Sequence, residues 1–120
     1  MSFVIYSVNI IAMKILNIHK SVTAVELLQL LEKKLNPLFE AQRKTAVYFI
    51  TEHKDGAVEI SQPDLYEGFL FRIEIKGDEL HVTRSEHYVD DVNSLTVESI
   101  LNEIFAQLAE GGKVTLVLEG

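Results

Sequence analysis

Residues 69–84, FLFRIEIKGDELHVTR, constrain the fold of this chain more tightly than any other stretch, because periodicity, turn chemistry and cross-strand charge agree there. Phe69, Phe71, Ile73 and Ile75 occupy alternate positions with Arg72, Glu74 and Lys76 between them, the pattern of a strand with one buried face. Leu70 alone departs from it. Gly77-Asp78 supplies a two-residue turn with glycine first, which suits a type II′ hairpin because glycine takes positive φ without a Cβ clash. That loop sets Lys76 opposite Glu79, Ile75 opposite Leu80, Glu74 opposite His81 and Ile73 opposite Val82. Each matched pair contributes roughly 0.2–1 kcal/mol. A slip of one residue would turn Ile73 and Ile75 to water, so the register is specified. Lys76 with Glu79 and Glu74 with His81 make the polar face self-neutralising, the mark of scaffold. Arg84 falls opposite Phe71 on the apolar face, so it either reaches out to water or pairs with a carboxylate of the acidic segment after it.

Two helices flank this hairpin. Thr23 and Glu26 form a T-x-x-E capping box ahead of Val25, Leu27, Leu28, Leu31 and Leu35, with Leu30 widening the apolar face. Asn36-Pro37 predicts the end of that helix, since a proline ring clashes with the preceding turn, and residues 38–44 read as a short second helix. Val97, Ile100, Leu101, Ile104, Phe105 and Leu108 form the stripe of a later helix that starts near Thr96 or Val97, with Ser94 or Thr96 as cap and Gly111-Gly112 ending it. The remaining apolar runs read as strands: residues 3–11 and their continuation over 14–18, residues 46–51 buried on both faces, a brief strand through Val58 and Ile60 after a turn at 54–56, and residues 114–118.

The resulting order, β-α-β-(β)-β-β-α-β, predicts an α+β fold with a single-layer, mainly antiparallel sheet and two main helices on one face. It resembles an elaborated ferredoxin-like plait in architecture, and that fold hosts many unrelated functions. A length of 120 residues without an internal repeat or linker predicts one domain, 1–120.

Composition narrows the chemistry. The chain has no cysteine, which removes thiol catalysis, disulfides and cysteine metal sites, and fits a cytoplasmic setting. Ser2 to Met13 are uncharged, but Lys14 interrupts the run well short of the roughly 20 residues of a membrane span, and no basic n-region precedes it. No membrane association is expected. Residues 1–54 carry seven Lys or Arg against four acids, +3, whereas residues 55–120 carry four against fourteen, −10. Phosphates are repelled by such a half-chain, and the hairpin's aromatics face the core, so nucleic acid is not expected as a partner.

Phosphate-loop, dinucleotide, metalloprotease and calcium-loop patterns are absent from the sequence. His81 and His87 have suitable side chains for a metal, yet six residues of strand separate them by about 20 Å; no metal and no cofactor is expected. Asp90-Asp91 and the pair Asp64 and Glu67 lie in two loops that could share one mouth with Tyr66 and Tyr88, and converging carboxylates would raise one another's pKa. Adjacent loop aspartates are more often simply solvated.

Two functions follow. The first is a non-enzymatic interaction module whose acids dock a basic protein, similar in kind to immunity proteins and inhibitors that cover basic active sites, with Asp64, Tyr66, Glu67, Arg84, Glu86, Tyr88, Asp90 and Asp91 as the contact residues. The second is a small-molecule domain or minor enzyme with a pocket between the loops 61–68 and 85–93. A homodimer through an uncharged N-terminal edge strand is compatible with either.

Overall fold

The computed structural model describes residues 13–86 and 88–119. The expected strand over residues 3–11, and with it the expected dimer contact, lies outside the described residues, as does His87.

Six strands and two helices follow in the order β1 (Met13–Asn17), α1 (Ala24–Arg43), β2 (Ile50–Lys54), β3 (Ala57–Ser61), β4 (Phe69–Lys76), β5 (Glu79–Arg84), α2 (Val92–Leu108) and β6 (Thr115–Glu119). The strands form one antiparallel sheet in the order β2-β3-β4-β5-β1-β6. The meander β2 to β5 is built of sequential hairpins, and β1 is slotted between β5 and β6.

The β4–β5 hairpin has the register its sequence dictates, from Lys76 opposite Glu79 to Phe71 opposite Arg84. Gly77 takes φ 66°, the value the turn needs. The charge contacts run differently from the expected cross-strand lattice. Lys76 lies 3.7 Å from Glu74 and His81 lies 3.0 Å from Glu79, so each pair forms along its own strand between residues that share a face. The cross-strand ion pair on this open face is Arg72 with Glu59 of β3, at 2.7 Å.

Helix α1 corrects the sequence reading, because it runs unbroken through Pro37. Proline in a helix interior costs about 3 kcal/mol. Leu27, Leu31, Leu35 and Phe39 are all fully buried at four-residue intervals, and each such side chain contributes about 1.5–3 kcal/mol. Breaking the helix at residue 36 would take Phe39 out of line, so burial wins. Asn36 strengthens the join: its Nδ2 donates to the Phe49 carbonyl and its Oδ1 accepts from the Phe49 amide, at 3.0 and 2.8 Å. The helix opens with the expected Thr23–Glu26 box and ends with Lys44 in the left-handed region. Val25, read as part of the apolar face, is half-exposed.

The segment 46–51 is also not the doubly buried strand expected. Phe49 alone of it is buried, Tyr48 is 70 % exposed, and β2 begins only at Ile50. Among the described residues β2 lies at the sheet margin with one strand neighbour, and it alternates poorly. The second hairpin, β2 to β3, closes through Asp55 and Gly56, both at positive φ.

One core joins α1, α2 and a single face of the sheet, with Leu16, Ile60, Phe71, Ile73, Leu80 and Val82 from the strands meeting Ile100, Leu101, Ile104 and Phe105 from α2. Both helices therefore cover the same face, as the alternation in β4 requires. No described helix is long and apolar enough to cross a membrane.

Candidate functional site

Antiparallel pairing places the end of β3, the start of β4 and the end of β5 at one end of the sheet. The two acidic loops, residues 62–68 and 85–91, are therefore neighbours. The Ser85 amide, at the root of the second loop, donates to the Leu70 carbonyl at 3.2 Å.

The first loop is wound around Gln62, a buried polar residue. Its Nε2 donates to the Tyr48 carbonyl, its Oε1 accepts from the Asp64 amide, and its own carbonyl accepts from the amides of Leu65 and Tyr66. This turn directs Tyr66 across to the second loop, where its hydroxyl donates to Asp91 Oδ2 at 2.7 Å. Asp91 Oδ1 accepts from the Ser94 amide at 2.7 Å and caps α2. Hence α2 starts at Val92, about a turn earlier than the apolar stripe alone predicts, and its cap is Asp91 instead of Ser94 or Thr96.

Burial works against the Asp91 carboxylate, yet the hydrogen bonds from Ser94 and Tyr66 outweigh it and hold the carboxyl below its ordinary range. The Tyr66 phenol moves the other way, raised first by burial and then by its bond to Asp91. Near neutrality Asp91 is therefore ionised and Tyr66 keeps its proton, which it donates to Asp91.

Arg84 does both things its position allows. Its guanidinium sits 4.6 Å above the Tyr88 ring and 3.8 Å from Asp90 Oδ1. Tyr88 in turn meets Phe71 edge-on at 5.7 Å. Among the described residues the buried Tyr88 hydroxyl has no hydrogen-bond partner, and burial, followed by the negative charge of Glu98, raises its pKa.

A cavity of about 60 Å³ lies beside Arg84, floored by Phe71, Leu101 and Phe105 and rimmed by Lys14, Arg84 and Glu98. Lys14 and Glu98 face each other across it at 3.9 Å. Ligand pockets are usually about 300–1,000 Å³, so this one has room for a few waters or one inserted side chain. It lies between the sheet and α2, and Tyr66 and Asp91 bridge the loops 61–68 and 85–93. Among the described residues no group of three His, Cys, Asp or Glu could hold a metal ion.

No protein family, no curated protein and no solved structure matches this chain.

Of the eight residues singled out in the sequence, Tyr66 meets Asp91, and Arg84 meets Tyr88 and Asp90, while Asp64, Glu67 and Glu86 stand exposed on the same two loops. Gln62, which organises the first loop, was not expected, and Ser94, expected as a cap, instead donates its amide to the Asp91 cap. Gln62 carries one signal in hindsight: it precedes Pro63-Asp64 in a turn-rich stretch, where a side chain often substitutes for backbone hydrogen bonds.

Proposed function

We propose that the chain is a non-enzymatic interaction module whose acidic end docks a basic surface on another protein. The observation that carries this reading is the Tyr66–Asp91 hydrogen bond, which holds the two acidic loops together at one end of the sheet. Asp64, Glu67, Glu86, Asp90 and Asp91 then share one region, and like charges gathered this way speed and steer a basic partner. Asp91 is occupied in capping; the exposed Asp64 and Asp90 are the residues to alter.

The architecture we read as an elaborated ferredoxin-like plait in which β6-β1-β5-β4 is the four-stranded core; β1-α1-β4 and β5-α2-β6 would be its two strand-helix-strand units, with β2–β3 as a hairpin added ahead of β4. The absence of cysteine supports a cytoplasmic setting. A ligand pocket between loops 61–68 and 85–93 has less support, because those loops are clasped and the cavity beside Arg84 is small.

Affinity capture on the immobilised protein at low and high salt tests the docking reading. Basic proteins should be retained at low salt by the wild type and lost from a variant carrying Asp64→Lys and Asp90→Lys. Equal retention by both would refute it.

A further inference from the structure

The acidic end also exposes large apolar side chains. Leu65, Val89, Val92 and Leu95 are each 49–57 % exposed, and all four belong to the two clasped loops or to the first turn of α2. Leu65 adjoins Tyr66 and Val92 adjoins Asp91 in sequence, so the 2.7 Å hydrogen bond between Tyr66 and Asp91 joins the two segments that carry these side chains. Val92 and Leu95 are three apart on α2 and share a face. The Asp91 amide donates to the Val89 carbonyl at 2.8 Å, folding Val89 back beside them.

Water-exposed aliphatic side chains on the same two joined segments as exposed acids give this end the composition of an interface, apolar and charged together. Here the charge is acidic, from Asp64 on the first loop to Glu86 and Asp90 on the second. Charge by itself would attract any polycation. The apolar side chains add a requirement for aliphatic or aromatic side chains in register with the basic ones.

We infer that the partner surface is amphipathic, a protein segment with apolar anchors flanked by lysine or arginine, seated on Leu65, Val89, Val92 and Leu95. The inference rests on the docking reading and adds to it the apolar anchors. Basic residues set the approach, and the apolar anchors set the lifetime of the complex.

Two synthetic peptides of equal charge and length test this on the intact chain by fluorescence anisotropy: an amphipathic helix of leucine and lysine, and an oligolysine spaced with serine. The account predicts that the amphipathic peptide binds at least about tenfold more tightly, a difference of about 1.4 kcal/mol. A Val92→Ser, Leu95→Ser variant should abolish that difference while leaving oligolysine binding unchanged. Both side chains are half-exposed, so this variant keeps its fold, and circular dichroism verifies it. The Asp64→Lys, Asp90→Lys variant should weaken both peptides. Amide chemical shifts should move at residues 65, 89, 92 and 95. Equal binding of the two peptides, or shifts confined to another surface, would overturn the inference. Indifference of both peptides to the charge reversal would instead overturn the docking reading beneath it.

Discussion

The Tyr66 hydroxyl donates to Asp91 Oδ2 at 2.7 Å while Asp91 Oδ1 accepts from the Ser94 amide, so one carboxylate caps α2 and clasps two loops together. A hydrogen bond to a charged group contributes about 1.5–3 kcal/mol when well enclosed. Tyr66 is only partly buried, so Tyr66→Phe should cost near the lower end, measured by urea unfolding. A change below about 0.5 kcal/mol, the level of an ordinary surface substitution, would mean the clasp is not holding the loops.

The clasp also predicts a pH dependence. The folded Asp91 carboxyl sits below its ordinary range, so it contributes stability that is present above the unfolded value of about 3.9 and is lost as pH falls through the folded value. The Tyr66 phenol is raised, so its contribution is present below about 10 and disappears as pH rises through the folded value. Asp91→Asn keeps one oxygen for the N-cap but puts an amide donor where the other accepts from Tyr66, so it removes the charge and that acceptor together. Thermal melts of wild type and Asp91→Asn should differ at pH 7 and converge at strongly acidic pH; a constant difference would remove the charge from the account.

Helix α1 depends on Asn36 more than its proline suggests. Asn36→Ala leaves the Phe49 amide and carbonyl without partners, and an unsatisfied buried polar group costs about 1–3 kcal/mol. Pro37→Ala should leave helicity undiminished, because the helix already passes through that residue. Circular dichroism and denaturant midpoints separate the two; a larger loss from Pro37→Ala than from Asn36→Ala would contradict the packing argument.

Two glycines fail in different ways when replaced by alanine. Gly77 has open space but φ 66°, so Gly77→Ala should cost about 1–2 kcal/mol in backbone strain, and Gly77→Asn less. At Gly112 an added Cβ would sit 2.8 Å from the Ala109 carbonyl oxygen, so Ala and Asn should be equally poor there. Chemical denaturation of the four variants tests the contrast; rescue of Gly112 by asparagine would rule out the steric cause.

The hairpin over residues 69–84 was legible in the sequence because every local preference pointed to one register. The same holds for the Thr23 capping box and the α2 stripe. Pro37 misled because its local penalty is outweighed by the burial of Leu35 and Phe39, which depends on the sheet beneath them. Residues 46–51 misled because β-propensity does not tell an edge strand from a central one. Asp91 was visible as one of two adjacent acids, yet its role as a cap depended on where α2 begins, and the stripe from Val97 onward gave no reason to start the helix at Val92. Convergence of the two loops followed from the β4–β5 register, which sets Phe71 opposite Arg84 and was itself legible in residues 69–84.

The most direct test of the acidic end as a docking surface is the salt dependence of a captured partner's dissociation constant, measured for wild type and for the Asp64→Lys, Asp90→Lys variant. The account predicts that wild-type affinity falls steeply as salt rises from about 50 to about 500 mM, since the Debye length contracts severalfold over such a range, and that the variant binds weakly with little salt dependence. A variant that binds as tightly as wild type with the same salt dependence would contradict it.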